Sequence, residues 1–121
     1  MHSNGFSLVR KALSYNEIKK HKNTLLEPTR IYVKLIDSLL SSKYQNSIKG
    51  IAHITGGAFS SKATKIIPKN LGLSINSKSW RPDKIFKKIQ KRAQLNNGQM
   101  YSTFNMGIGL IVVVDKKYLD R

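Results

Sequence analysis

Three short stretches of this chain bring small residues, hydroxyls, amides and imidazoles to points where an apolar segment meets a turn. They are His2-Ser-Asn-Gly5, His53-Ile-Thr-Gly-Gly57 and Gln99-Met-Tyr-Ser-Thr-Phe-Asn-Met-Gly-Ile-Gly109. Glycine lets a backbone approach a phosphate or another tight ligand, and N–H groups at a helix start favour an anion. In the first stretch, His2, Ser3, Asn4 and Gly5 offer imidazole, hydroxyl, amide and backbone donors to such an anion. The plain alternative is a helix cap, which composition alone favours. In the second, Gly56 and Gly57 follow a strand, where ligands sit in open α/β sheets. Thr55 adds a hydroxyl there, and His53 is the candidate general base. A lone histidine alternating with isoleucine is, however, more often structural. In the third, Asn105 with Gly107 and Gly109 serves either a ligand or a tight turn into a core strand.

Other chemistries find little support. The six acids are Glu17, Glu27, Asp37, Asp83, Asp115 and Asp120. None lies inside the three glycine-containing stretches, and no two are spaced as a carboxylate pair or a Mg²⁺ site. His2, His21 and His53 show no metal-ligand spacing, so no metal site is expected. No phosphate-binding Gly-x-x-x-x-Gly-Lys-Ser/Thr sequence occurs. The absence of cysteine removes disulfides, thiolate metal sites and a cysteine nucleophile.

The elements that must hold these stretches follow from periodicity. Phe6, Leu8, Val9, Ala12 and Leu13 recur at helical spacing, with Ser3 or Asn4 as the expected cap. A polar stretch from Ser14 to Asn23 leads to Pro28, placed to open a second helix through Ile31, Leu35 and Leu39. Ile48 to Thr55 reads as a strand broken by Gly56-Gly57. Phe59, Ala63, Ile66 and Ile67 suggest a helix ended by Pro68, and Leu73 to Asn76 is a weaker strand candidate. Pro82 opens a helix through Ile85, Phe86 and Ile89, and Met100 to Phe104 forms one short helical turn. Ile108 to Val114 is the clearest strand, a β-branched run suited to burial. Lys116 to Asp120 reads as the start of another helix. The expected fold is α/β, an α+β sandwich with helices packed on a mixed sheet, as one domain over residues 1–121.

Forty per cent of residues are hydrophobic, which suits a folded core. The longest apolar run, Ile108 to Val114, is too short to span a bilayer, and no secretory signal pattern opens the chain. A cytoplasmic location is expected, with no membrane partner. The formal net charge of +16 raises the question of nucleic acid. Lysine outnumbers arginine 17 to 5, whereas base and phosphate recognition favours the guanidinium fork. The densest run, Lys84 to Arg92, reads as the solvated face of one helix, so nucleic acid is not the expected partner.

In order and spacing the three stretches resemble the C-terminal domain of phosphoribosylformylglycinamidine cyclo-ligase, or AIR synthetase. Leu26-Glu-Pro-Thr-Arg-Ile-Tyr-Val-Lys34 and Trp80-Arg-Pro-Asp-Lys-Ile-Phe86 share in the resemblance. Sister families of this fold include selenophosphate synthetase, thiamine-monophosphate kinase and hydrogenase maturation factor. The pairing of Phe-Asn-Met-Gly with His-Ile-Thr-Gly-Gly points to AIR synthetase among them. The resemblance implies that the His-Ser-Asn-Gly turn faces an ATP-binding domain, which reverses the preference for a simple cap. It implies ATP- and Mg²⁺-dependent closure of formylglycinamidine ribonucleotide to aminoimidazole ribonucleotide in purine biosynthesis. The ATP and metal ligands belong mainly to that other domain, so no cofactor is expected on this chain. The family also continues beyond both ends, so both are expected to be truncated.

The chain departs from the family at several positions. The third loop glycine is Ala58. The family's Glu-Asn-Ile-Pro-Arg is Ser61-Lys-Ala-Thr-Lys65 here, and the Glu and Arg of its Glu-Met-Tyr-Arg motif are Gln99 and Ser102. Carboxylates and arginines are thereby lost. The first expectation is a fragment or degenerate remnant, inactive alone. Alternatives are a split subunit working with a separate ATP-binding half, and a basic nucleic-acid-binding domain. A homodimer and a purine-precursor ribonucleotide are the further partners to consider.

Overall fold

The computed structural model describes residues 4–55 and 58–118. Among them the elements run α1 (Phe6–Ala12), α2 (Tyr15–Lys20), α3 (Lys22–Leu25), α4 (Val33–Leu40), β1 (Ile48–His53), α5 (Ala58–Lys62), α6 (Lys84–Ala93), α7 (Asn97–Thr103) and β2 (Leu110–Val114). Short 3₁₀ turns cover Gln45–Ser47, Ala63–Ile66 and Lys116–Tyr118.

The architecture is of the α/β class, with helices packed around a small sheet. That sheet is one antiparallel pair among the described residues, with His53 opposite Leu110 and Ala52 opposite Ile111. Bonds from Ile54 N–H to the Gly109 carbonyl (2.8 Å) and from Asp115 N–H to the Ser47 carbonyl (2.9 Å) carry the pairing past both strand ends. Ile54, just past β1, therefore lies beside the entry into β2.

Local chemistry explains the helices and several departures from expectation. The polar Ser14–Asn23 stretch starts a helix, because Ser14 and Glu17 form a reciprocal capping box. α4 begins at Val33, not at Pro28; Pro28, Arg30 and Tyr32 line a cavity instead of continuing a helical turn. α6 starts behind Asp83, whose Oδ1 accepts from Ile85 N–H at 2.8 Å, so Pro82 lies just outside the helix. α7 spans seven residues rather than a single turn, because Asn96 and Gln99 form a second capping box. The helix after β1 tightens to 3₁₀ at Ala63 before Pro68. The stretch from Leu71 to Asn76 stays exposed and unpaired as a strand, so the weaker strand candidate does not form.

Val9, Leu25, Ile54, Ile89, Met100 and Phe104 are the most deeply buried side chains. They come from α1, α3, the β1 exit, α6, α7 and the turn before β2, so burial of their apolar area holds all these parts together. No helix of the described residues is long and apolar enough to cross a membrane.

Candidate functional site

Asn4 is the point at which the three stretches meet. Its Nδ2 donates to the Thr103 carbonyl at 2.8 Å and to the Thr55 carbonyl at 3.3 Å. One buried amide thus ties the start of α1 to the β1 exit and to the end of α7. Asn4 was expected either to cap α1 or to face a ligand. The cap position belongs to Gly5, in a left-handed conformation, and no side chain caps that helix. Asn4 Oδ1 is buried and accepts no hydrogen bond among the described residues.

Gly5 is demanded twice over. Its φ is +81°, and a Cβ there would collide with the Phe104 ring. Phe104 is fully buried and packs edge-on against Phe86, with centroids 5.7 Å apart. The start of α1 therefore rests directly on the core beneath the third stretch.

Asn105 is also buried, and its Nδ2 donates to the Ile108 carbonyl at 3.1 Å. Ile108 N–H returns a bond to the Asn105 carbonyl at 2.9 Å. Between them Met106 and Gly107 both adopt positive φ, 51° and 93°. Trp80 Nε1 secures the turn by donating to the Met106 carbonyl at 3.0 Å. The amide of Asn105 therefore shapes the entry into β2, while the residue also lines a neighbouring cavity.

That cavity, about 280 Å³, is bounded by Thr24, Glu27, Arg30, Tyr32 and Asp83 together with Asn105 and Gly107. Arg30 lies over the Tyr32 ring, with Cζ 5.9 Å from its centroid. Tyr32 in turn meets His53 edge-on at 5.6 Å. His53 is exposed at the end of β1 and stands behind Tyr32 rather than among the cavity's lining residues. Thr55 enters the arrangement through its carbonyl, held by Asn4. His2, Ser3, Gly56 and Gly57 lie outside the described residues.

Glu27, Arg30 and Asp83 are cavity residues that the motif search did not select. Their signal lay in the two further segments of resemblance, Leu26–Lys34 and Trp80–Phe86, each of which supplies part of the lining. Asp83 has one oxygen engaged in capping α6. Away from the cavity, Glu17 titrates well below the ordinary carboxylate range, at about 2. The Ser14 backbone N–H is the main cause, followed by Arg92 and Lys88. Among the described residues no three His, Asp or Glu side chains converge on a point that a metal ion would occupy.

Gln99 and Ser102, which replace a family carboxylate and arginine, are both exposed and locally engaged. Gln99 Oε1 accepts from Asn96 N–H at 2.9 Å, and Ser102 Oγ donates to the Gln99 carbonyl at 3.0 Å. A glutamate at position 99 would make the same cap. The local fold therefore does not explain the exchange.

Residues 1–120 match the family described as AIR synthase related protein, C-terminal domain. The phosphoribosylformylglycinamidine cyclo-ligase of Finegoldia magna is 46% identical over 129 residues, covering 100% of this chain and 37% of that protein. The enzyme of the same name from Thermoanaerobacter sp. (strain X514) is 41% identical over 132 residues, covering 100% of this chain and 38% of its own length. That of Neisseria meningitidis serogroup C (strain FAM18) is 38% identical over 128 residues, with shares of 98% and 36%. The chain thus spans little more than a third of the length of these relatives.

Proposed function

Since this chain belongs to the AIR synthase related family, within its C-terminal domain, we propose that it serves as the C-terminal part of a phosphoribosylformylglycinamidine cyclo-ligase. On this reading it retains a ribonucleotide-facing cavity but does not close the ring by itself. The observation that carries the reading is the Asn4 clamp. It ties Asn4 to the carbonyls of Thr55 and Thr103, two residues before Asn105, which with Gly107 lines the cavity.

The cavity's chemistry suits a purine-precursor ribonucleotide. Arg30 and Thr24 supply donors for a phosphate, while Glu27 accepts from ribose hydroxyls or an amidine. Asn105 and the left-handed turn at Met106–Gly107 form one wall. His53 meets Tyr32, which lines the cavity, edge-on at 5.6 Å, and we assign its imidazole the part of passing a proton. Ring closure in the whole enzymes is expected to use ATP and Mg²⁺. The described residues do not assemble carboxylates for a metal, so none of those steps is assigned to this domain.

The test joins binding to turnover. Amide hydrogen exchange with aminoimidazole ribonucleotide should slow at residues 4–5, 53–55 and 105–109, while ATP and formylglycinamidine ribonucleotide give no product with the chain alone. Turnover by the chain alone would overturn the proposal. Turnover only after adding the unmatched part of the Finegoldia magna enzyme would replace it with the split-subunit reading. No protection from the ribonucleotide would remove the retained-cavity claim.

A further inference from the structure

Two groups of cations far apart in sequence lie on elements that the fold brings into contact. Glu17 on α2 pairs with Lys88 Nζ at 3.2 Å and Arg92 Nη2 at 2.9 Å on α6. Lys88 Nζ also lies 3.3 Å from His21 Nε2, at the junction of α2 and α3. These contacts hold the elements bearing Lys19, Lys20 and Lys22 against the helix bearing Lys84, Lys87 and Lys91. All six of those lysines are exposed. Glu17 is the one acid on the three helices, and its carboxylate is already shared by two cations.

The sequence alone presents the α6 run as a solvated helix face. The fold adds a second cationic group beside it and a concavity of about 580 Å³ lined by Lys88, Lys91, Arg92 and Gln94. Concentrated like charge destabilises a folded chain, and a polyanion relieves that repulsion while releasing its own counterions. The lining offers no apolar anchor of the kind that dominates protein–protein interfaces. Its lysines present flexible point charges rather than the bidentate forks used to read bases.

We propose that the face formed by α2, α3 and α6 binds the phosphate backbone of nucleic acid without reading its sequence. The ribonucleotide cavity takes Thr24 of α3 and the start of α6 at Ile85 and Phe86, but none of the lysines of this face.

The experiment is fluorescence anisotropy with labelled single-stranded RNA and duplex DNA of about 20 nucleotides, titrated with the purified chain. With about five to six phosphates neutralised, affinity should fall roughly 50- to 100-fold for the single strand and roughly 140- to 380-fold for the duplex between about 50 and 150 mM salt. K84Q/K87Q/K91Q spares Glu17, Lys88 and Arg92. It should bind roughly tenfold more weakly, with a salt slope shallower by about two. K19Q/K20Q/K22Q should weaken binding in the same direction, and circular dichroism establishes that each variant folds. Absent binding at low salt, or unchanged affinity in either folded variant, would overturn the proposal. Competition by polyglutamate as effective as by RNA would also overturn it, in favour of an acidic polypeptide.

Discussion

Gly5 and Phe104 are in such close contact that no side chain fits between them: the α-hydrogen of Gly5 that stands where a Cβ would be faces the ring, and its φ is +81°. This contact seats the first stretch of the site on the core. Gly5→Ala adds both overpacking and left-handed strain, and should destabilise the chain by about 2–4 kcal/mol. Urea unfolding of the variant measures this directly. A loss below about 0.5 kcal/mol would show that Phe104 moves aside freely.

Asn4 contributes donors, and that gives its substitutions an order. Asn4→Ala loses two bonds to carbonyls but also removes an unpaired oxygen, so it should cost about 1–3 kcal/mol. Asn4→Asp sets a carboxylate against the carbonyls of Thr55 and Thr103 and should cost more. Acid should restore part of the aspartate variant's deficit, because a protonated carboxyl regains a donor. Denaturation midpoints at two pH values decide the matter; equal losses for the two variants would mean that Nδ2 is not the working atom.

The Glu17 ion pairs set an acid limit. Its carboxyl titrates at about 2 when folded, against an ordinary 4.5. The carboxylate's contribution to stability is therefore complete above about pH 4.5. It is lost progressively as pH falls from there towards 2. Glu17→Gln should flatten that part of the stability profile, and added salt should shrink the difference from wild type. Urea midpoints across the acid range are the measurement, and parallel profiles for the two proteins would refute the assignment.

Arg30 lies over Tyr32 at the cavity and provides its planar fork of donors. If the ribonucleotide's phosphate docks there, Arg30→Ala should weaken binding by about 1.5–3 kcal/mol, roughly ten- to hundredfold. Arg30→Lys should recover little, since an ammonium neither stacks nor grips bidentately. Titration calorimetry with aminoimidazole ribonucleotide reads both. Full rescue by lysine would reduce the contact to simple charge.

Much of the local structure was legible in particular residues. Ile85, Phe86 and Ile89 facing inward opposite Lys84, Lys87 and Lys91 were readable from helical spacing, and the β-branched run to Val114 marked β2. Met100 and Met106 belong to the core. Asn105 was legible both as a turn residue and as a site candidate. Pro28 misled, because a proline permitted at a helix start does not make one. The capping pairs Ser14–Glu17 and Asn96–Gln99 stood in the sequence but were outweighed by the polarity around them.

The successes share a cause: turn conformation and apolar periodicity depend on residues within about four positions of each other. Together with the motif order, they determined the class of fold and the family. The site and its neighbours were decided at longer range. Asn4 bonds across 51 residues to Thr55 and across 99 to Thr103. Glu27 and Asp83 reach the cavity wall at Asn105 only because α3 and α6 pack on one core. The elements carrying the two lysine groups meet only where Glu17 and His21 lie against Lys88 and Arg92. Such meetings are set by the packing of whole elements, which no local pattern encodes.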